Sequence, residues 1–361
     1  MPSQKNKVLV AAAGSGKTTS IVESAVRAEN PVAVVTFTIN NEREIKRKFY
    51  ELNGHIPAHV TIITWFRFLL AHWIRPYRLS RFDRRVEGII FVEGRSALRV
   101  PRFRNSYFFG SDDRIYTDKI AEYALMCNNE SGGLVLDRLS ELYRHIFIDE
   151  VQDLAGYDLE LLEALRDSSM KLTLVGDPRQ ATYKTNHSPK NSQYGGAEIV
   201  DRFEEWEKDG HCEILYRTSS HRCNQQICDF ANLIYPQAPK TISTQYKTQE
   251  QVSHQGVFLV SKCDIEEYIA TFDPARLRDS KRSNTSGYSA MNFGESKGLT
   301  FPRVLIFPTG PLKNVLKSGD FNQLKKTSAA KVYVAVTRAR HSVAILYDGK
   351  CGISGIKRWK G

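Results

Sequence analysis

Short apolar runs alternate with longer amphipathic stretches along most of the chain. The first three runs are Val8–Val10, Val32–Val35 and Val60–Ile63, and polar or turn-forming residues bound each of them. Between them, Lys17–Ala28 and Asn41–Leu52 mix charged and apolar positions in the manner of surface helices. Strands and helices that alternate in this way predict an α/β fold with a parallel sheet.

This rhythm breaks between residues 67 and 140, a stretch that predicts an inserted, mostly helical and basic subdomain. The apolar runs resume at His145–Ile148 and Lys171–Val175, and the polar stretch Tyr183–Gly196 predicts a linker. The predicted organisation is a first lobe of residues 1–66 plus 141–183, an inserted subdomain of residues 67–140, and a second lobe of residues 184–361.

A second set of strands and helices is predicted in the later half of the chain. The predicted strands are Glu213–Leu215, Gly256–Val260, Val304–Phe307 and Ser342–Tyr347. The predicted helices are Arg222–Ile234 and Lys325–Arg338. No internal sequence repeat relates the two halves, so their likeness is one of architecture.

Charge narrows the class of partner. The 361 residues include 51 Lys and Arg against 40 Asp and Glu, a net charge of +11, which favours a polyanion. Ten arginines lie between Arg67 and Arg104, opposed by three acidic residues and interleaved with aromatic ones. Such a mixture suits phosphates and base faces, although part of the aromatic set is expected to form the core of the subdomain.

The sequence gives little support for a membrane protein or for a metal site built on cysteines. No apolar run approaches the ~20 residues that a membrane span needs, and no stretch of signal-peptide type precedes the first strand. The six cysteines form no C-x-x-C pair, which argues against a zinc ribbon and favours reduced, mostly buried thiols. We therefore expect a cytoplasmic protein with no membrane partner.

The first chemical motif is Ala11–Thr18, which follows a predicted strand and begins a predicted helix. That context predicts a phosphate loop, in which backbone N–H groups close on phosphate oxygens. Lys17 would neutralise the β- and γ-phosphates and the Thr18 hydroxyl would bind Mg²⁺. The nucleotide-binding set is Ala13, Gly14, Ser15, Gly16, Lys17, Thr18 and Thr19.

Further polar groups follow later strands. Asp149 and Glu150 end an apolar strand, where they would face a ligand crevice, with Asp149 holding Mg²⁺ through water and Glu150 accepting a proton from the attacking water. Gln180 follows the next strand and would sense the γ-phosphate or position water. Arg338 would act as an arginine finger.

Together these segments resemble the motifs of superfamily 1 helicases of the UvrD/Rep/PcrA type. The motifs run in order through almost the whole chain: Ala11–Thr18, Val35–Asn40, Thr64–Phe66, Asp149–Asp153, Gly176–Tyr183, His221–Asn232, Ser296–Phe301 and Tyr333–Ala339. The resemblance implies two RecA-like parallel-sheet lobes of the P-loop NTPase class, with the basic insertion in the first lobe.

The resemblance also implies roles for single residues. Arg222 and Arg338 would contact the γ-phosphate, and Gly298 of the seventh motif would lie at the nucleotide. The single-strand track would include Thr36, Phe37, Thr64, Trp65 and Tyr183, with Phe37 stacking on a base. The expected ligands are ATP, Mg²⁺ and single-stranded or partly duplex DNA.

Three departures from the family pattern stand out. The Gln-bearing segment usually found upstream has no counterpart, because Gln4 is too close to Lys17. Thr185-Asn186 stand where the family has Trp-Arg, and the stretch from Asn232 to Ser296 is too short for the large second-lobe insertion. A stacking platform, a phosphate-sensing arginine and a duplex grip are therefore expected to be missing.

The leading hypothesis is an ATP-dependent DNA helicase or translocase of 3′→5′ polarity. The alternative is an ATP-gated DNA-sensing subunit that regulates a partner such as a nuclease, as in a phage-defence or recombination complex. Self-association and an RNA-directed relative are further alternatives, and the arginine and glutamine motifs argue against a P-loop kinase.

Overall fold

The computed structural model describes residues 5–80, 82, 85–245 and 252–360. The chain divides into two compact units. The first unit comprises Met1–Val10, Lys17–Pro178 and Tyr183–Tyr216, and the second comprises Ala11–Gly16, Arg179–Thr182 and Arg217–Gly361. None of the described helices is long and apolar enough to cross a membrane.

Strands and helices alternate through both units. The strands are β1 (Asn6–Ala11), β2 (Val32–Thr36), β3 (Val60–Thr64), β4 (Gly88–Ile90), β5 (Arg114–Tyr116), β6 (His145–Asp149), β7 (Lys171–Gly176), β8 (Cys212–Arg217), β9 (Ser219–Ser220), β10 (Ile242–Ser243), β11 (Gly256–Val260), β12 (Ala275–Arg278), β13 (Met291–Asn292), β14 (Phe301–Ile306), β15 (Ala339–Leu346) and β16 (Lys357–Arg358). The α-helices are α1 (Lys17–Val26), α2 (Ile39–Asn53), α3 (Trp65–Phe68), α4 (Ile120–Glu130), α5 (Leu134–Leu142), α6 (Tyr157–Arg166), α7 (Ile199–Lys208), α8 (Gln225–Ile234), α9 (Ile265–Phe272), α10 (Gly310–Ser318) and α11 (Lys326–Val336).

The first unit contains a six-stranded sheet in the order β3-β2-β6-β7-β1-β8. The pairs β3-β2, β2-β6, β6-β7 and β7-β1 are parallel. All five residues of β2 are buried, as expected for a central strand covered on both faces. Because parallel strands end at the same edge, the ends of β6 and β7 bring Asp149 and Gly176 to one side of the sheet.

One strand lies in a different sheet from the one predicted. The run Glu213–Leu215, expected in the second lobe, belongs to β8, which is the edge strand of the first sheet beside β1. Helix α7, after the predicted boundary at residue 184, belongs to the first unit as well. The strand signal was correct, but periodicity along a strand does not specify its neighbour.

The inserted segment is helical at its two ends and irregular between them. Helix α3 continues as a π-helix over Leu69–Ile74 and a 3₁₀ helix over Arg75–Ser80, and α4 and α5 close the segment. The described residues between them form the short parallel pair β4-β5, two 3₁₀ turns and loops. The prediction of a mostly helical subdomain was therefore wrong for its middle part.

The second unit has a six-stranded, fully parallel sheet in the order β13-β12-β14-β15-β11-β16. Its apolar core includes Val304, Ile306, Val343 and Ile345 from the central strands, all at zero exposure. The short parallel pair β9-β10 lies outside this sheet, and β9 ends two residues before Arg222. The fold is therefore two α/β units, each built on a parallel sheet, as the sequence predicts.

Candidate functional site

The loop Ala11–Gly16 has the geometry that phosphate binding requires. Gly14 and Gly16 have φ angles of 73° and 79°, a region that L-residues rarely adopt. Ser15 is 2% exposed, and its hydroxyl has no hydrogen-bond partner among the described residues. Ala13, between the strand end and the first glycine, is buried as well. An orphaned buried hydroxyl in a glycine loop fits an anionic ligand that accepts a hydrogen bond from it.

Within the second unit, two backbone carbonyl groups of this loop accept hydrogen bonds from the residues that precede Arg222. The carbonyl oxygen of Ala13 accepts a hydrogen bond of 2.8 Å from the Ser220 hydroxyl, and that of Gly14 accepts one of 2.8 Å from the His221 N–H. A Cβ built on Gly14 would lie 2.5 Å from the Cβ of Arg222, so only glycine allows this approach. Arg222 therefore lies against the phosphate loop, as expected for a residue that contacts a bound nucleotide.

Arg338 is 1% exposed, yet every edge of its guanidinium group has an acceptor within the second unit. Nε donates to the carbonyl of Val334 at 3.1 Å, Nη1 to that of Leu299 at 3.2 Å, and Nη2 to Oε1 of Gln180 at 3.0 Å. The structure thus brings together Arg338 and Gln180, which are 158 residues apart in the chain. Buried cations survive only with such satisfaction of their donors.

Gly298 lies in the turn that precedes β14, with a φ of 87°. Its neighbour Leu299 supplies the carbonyl that accepts from Arg338. Gly298 is therefore close in the chain to the arginine contact, and nucleotide binding by this residue stays a prediction.

Lys17, Thr18 and Thr19 form the first turn of α1 and are half-buried. The first N–H groups of a helix lack intrahelical acceptors and attract anions. Phosphate at this point would meet both the helix N-terminus and the Lys17 ammonium group.

Asp149 and Glu150 end β6, and the carboxyl group of Asp149 accepts from the Glu150 N–H at 3.0 Å. Burial raises the pKa of the Asp149 carboxyl above its ordinary value, the charge of Glu150 raises it further, and the charge of Lys17 opposes both. Glu150 has a φ of 57°, a conformation that is uncommon for a residue with a side chain. A buried acid beside a second acid suits a site that binds a cation.

Gln152, which the motifs left without a predicted role, connects Glu150 to Asp177. Its amide nitrogen donates to the Glu150 carboxylate, and its amide oxygen accepts from the Asp177 N–H at 3.1 Å. A Cβ on Gly176 would lie 2.4 Å from that oxygen, so Gly176 leaves the space that Gln152 fills. Gln152 therefore orients Glu150 and connects it to the residue that follows β7. The signal in the sequence for Gln152 was its place in the motif Asp149–Asp153.

Mg²⁺ would have few protein ligands here. The described residues contain no cluster of three or more His, Cys, Asp or Glu side chains. Mg²⁺ commonly keeps waters and combines one or two carboxylates with substrate phosphates. Thr18 and Asp149 fit that pattern, in which the nucleotide itself completes the coordination.

The five predicted nucleic-acid contacts fall into two groups. Phe37 is half-buried, packed edge-to-face on Phe66 at 5.8 Å, and Tyr183 is 39% exposed, so both offer ring surface and their role stays a prediction. Thr36 and Thr64 are buried at 1% and 6% exposure and do not present their hydroxyl groups at the surface.

Trp65 is a core residue, and the prediction that it binds nucleic acid was wrong. It is 1% exposed, and its indole N–H donates to the buried Asp158 carboxylate at 2.7 Å. The other oxygen of Asp158 accepts from the hydroxyl of Thr185, which stands where the family has Trp. Thr185 therefore completes a buried polar network of the first unit.

The arginine-rich insertion offers anion-binding surface. Arg75, Arg78 and Arg85 line an open cavity of about 310 Å³ together with Val86 and Glu87. Arg81 and Arg84, which belong to the same predicted phosphate-binding set, lie outside the described residues. Three guanidinium groups against one carboxylate leave this cavity with a net positive charge.

Comparison with known proteins supports the same assignment. A family model for an AAA domain matches residues 2–186, and a model for the viral superfamily 1 RNA helicase core domain matches residues 134–347. The Gabija protein GajB of Bacillus cereus strain VD045 is 28% identical over 266 residues, which cover 69% of this chain and 50% of that protein. DNA helicase IV of Escherichia coli K12 is 23% identical over 241 residues, covering 57% of this chain and 34% of that protein.

Among solved structures, the helicase nonstructural protein 10 of an arterivirus, in complex with DNA, overlaps with a TM-score of 0.49 and 15% identity, over 95% of this chain and 61% of that chain. The chain spans about half the length of GajB and a third of that of DNA helicase IV. Each family model covers more than half of the chain, and the two overlap across Asp149–Gln180. The chain therefore belongs to the superfamily 1 helicases of the UvrD/Rep type.

Proposed function

We propose that this protein hydrolyses ATP to move along single-stranded DNA in the 3′→5′ direction. The observation that carries the proposal is the second unit's own arrangement, in which Arg222 lies against the glycine loop and Arg338 is bound to Gln180. These groups would respond to a γ-phosphate and lose a contact after its hydrolysis. A motor needs such a difference between its two nucleotide states.

The first unit would supply the groups for hydrolysis. Lys17 would neutralise the β- and γ-phosphates, and Glu150, oriented by Gln152, would accept the proton of the attacking water. Bound Mg²⁺, held by Thr18 and Asp149, would offset the charge that develops on the phosphates. Asp149 would then carry its negative charge despite its burial, because a nearby divalent cation favours the charged form.

The decisive measurement is ATP turnover with and without single-stranded DNA. We expect turnover to be low without DNA and strongly stimulated by oligo(dT), with RNA of matched length as a comparison. Turnover that is indifferent to every nucleic acid would contradict a motor function.

A second candidate is an ATP-gated DNA-sensing subunit that regulates a partner such as a nuclease. The supporting observation is the small second unit: between α8 and β14 the described residues form short strands and the eight-residue helix α9. A duplex grip built as a separate domain is absent from that described stretch. Similarity to GajB extends over only half of that protein, so the comparison leaves this candidate open.

A single-turnover unwinding assay separates the two candidates. With a partial duplex and a protein trap, we expect the isolated chain to show weak unwinding despite active ATP hydrolysis. Adding a partner or raising the concentration of the chain would increase unwinding if a second subunit holds the duplex. Processive unwinding by the monomer would favour the first candidate alone.

A further inference from the structure

Three large apolar side chains of the insertion are exposed on one loop. Within the segment 91–104, here called the 91–104 loop, Phe91 is 79% exposed, Leu98 69% and Phe103 66%. An aromatic side chain buries roughly 150–250 Å² when it packs. An ordered loop that leaves two such rings and a leucine side chain in water is a candidate contact surface.

This loop is held in place from beneath. The Val92 N–H donates to the Thr117 hydroxyl at 3.1 Å. Ser96 donates to Asp118 twice, from its N–H at 3.0 Å and from its hydroxyl at 2.6 Å. Asp118 is buried and paired with the buried Lys119 at 3.0 Å. The loop conformation is therefore fixed by polar contacts, while Phe91, Leu98 and Phe103 stay exposed.

The far end of the loop has its own anchor. Arg102 donates to the Tyr157 hydroxyl at 2.8 Å and pairs with Glu122 at 3.2 Å. Arg102 is thus committed to α4 and α6, and Phe103 follows it directly. Two anchors on either side of Leu98 keep Phe91 and Phe103 on a defined surface.

Apart from Glu93, the remaining charges of the loop are positive. Arg95, Arg99 and Arg104 are exposed, and none of them forms an ion pair with a described residue. Glu93 is the single acidic residue of the segment. A polyanion neutralises several separate cations without needing carboxylates at matched positions, whereas a protein partner would need them.

We propose that the 91–104 loop binds single-stranded nucleic acid, with Phe91 and Phe103 stacking on unpaired bases and Arg95, Arg99 and Arg104 contacting phosphates. The proposal rests on the proposed function, because it adds a second grip to the strand on which the motor moves. Stacking on an aromatic ring is tolerant of base identity, which suits a strand of any sequence.

The stacking half is tested with the double variant Phe91→Ala/Phe103→Ala in the full chain. We expect its affinity for fluorescent oligo(dT) to fall at least about 5-fold, the minimum for one lost stack. Binding to a blunt duplex, which has no unpaired bases, should change less. Tyr50→Ala is the matched control, because Tyr50 is 59% exposed on α2 of the same unit.

The charge half is tested with Arg95→Gln/Arg99→Gln/Arg104→Gln. Each lost phosphate contact lowers the slope of log affinity against log salt by about 0.7 for a single strand, so the slope should fall by about 2. The phenylalanine variant should keep the parental slope, because stacking releases no counterions. Thermal unfolding checks that each variant is folded. The variant Phe91→Trp/Phe103→Trp keeps an aromatic ring at both positions and should bind oligo(dT) as the parent does.

The outcomes separate the loop from the motor. If the double alanine variant binds oligo(dT) within 5-fold of the parent, or loses no more than Tyr50→Ala does, the proposal is overturned while the motor stands. Loss of an acidic protein partner with unchanged oligo(dT) binding overturns it as well. If the parent itself neither binds nor responds to single strands, the proposed function fails and the loop's assignment with it.

Discussion

Glu150 in the first unit and Arg338 in the second are held in different ways. Glu150 ends a strand, is partly exposed, and is oriented by the side-chain amide of Gln152. Arg338 is 1% exposed and is bound to two backbone carbonyls and to Gln180. Glu150 is therefore expected to contribute to catalysis and little to stability, whereas Arg338 is expected to contribute to both. Substitution of Glu150 should therefore change activity alone, whereas substitution of Arg338 should change activity and stability together.

The largest effect is expected for Arg338→Ala. An arginine finger contributes about 10³–10⁵ in kcat, so turnover should fall by that order. Each orphaned buried acceptor costs roughly 1–3 kcal/mol, so the free energy of unfolding should fall as well. ATP turnover and urea unfolding measured on the same preparation test both. Parental stability in an inactive variant would show that the carbonyl contacts are incidental.

Glu150→Gln should lower turnover by about 10²–10⁴, because the amide keeps the shape and cannot accept the proton. Nucleotide binding, followed with a fluorescent ATP analogue, should persist. The free energy of unfolding should stay within roughly 0.5 kcal/mol of the parent, as for a partly exposed position. A clear loss of stability would erase the contrast with Arg338.

Lys17→Ala should lower turnover by about 10²–10³, the usual result of removing one group that stabilises developing charge. Nucleotide affinity should fall too, since Lys17 would contact the phosphates in the ground state. Thermal unfolding should hardly change, because Lys17 is half-buried at the start of α1. Turnover within a few-fold of the parent would contradict the assignment of the phosphate loop.

Asp158→Asn tests a buried acid of the first unit that serves the fold rather than the chemistry. Burial raises the pKa of Asp158 to about 6, although hydrogen bonds from Thr185 and Trp65 oppose the rise. The folded state therefore binds this proton more tightly than the unfolded state. Its contribution to stability is full below pH ~4 and is lost as the pH rises through about 6.

The stability of the parent relative to Asp158→Asn should consequently fall between pH ~4 and ~7, by up to about 3 kcal/mol. Urea unfolding of both proteins across that range gives the difference directly. A difference that does not depend on pH would mean that Asp158 titrates normally and that its burial is relieved in solution.

Much of the fold was readable from local pattern. Apolar runs identified the strands around Val8, Val32, Val60, Ile146 and Leu172, because a central parallel strand must be apolar throughout. The edge strand β8 alternates between buried and exposed residues in its first half, and nothing in that pattern reveals that β1 is its neighbour. The residue pattern of an edge strand therefore says less about which strand it pairs with than the pattern of a central strand says about its burial.

The site was predictable where a motif is contiguous and less so where distant residues meet. Gly14 and Gly16 were expected in the phosphate loop, and both have the required positive φ. Trp65 was placed on the single-strand track because its segment resembles a motif. Its true partner, Asp158, lies 93 residues away, a contact that a single sequence does not encode locally.

The strand order of the first sheet bears on how this chain folds as it leaves the ribosome. Strand β1 is made first, yet its neighbours β7 and β8 are made late, and the contact of Asn6 with the backbone of Leu172 spans 166 residues. Strand β1, which leads into the phosphate loop, therefore has no neighbour in the sheet while the insertion is being synthesised. An unpaired apolar strand of this kind is prone to aggregation. We expect nascent chains arrested before residue 217 to need chaperone protection that longer chains do not.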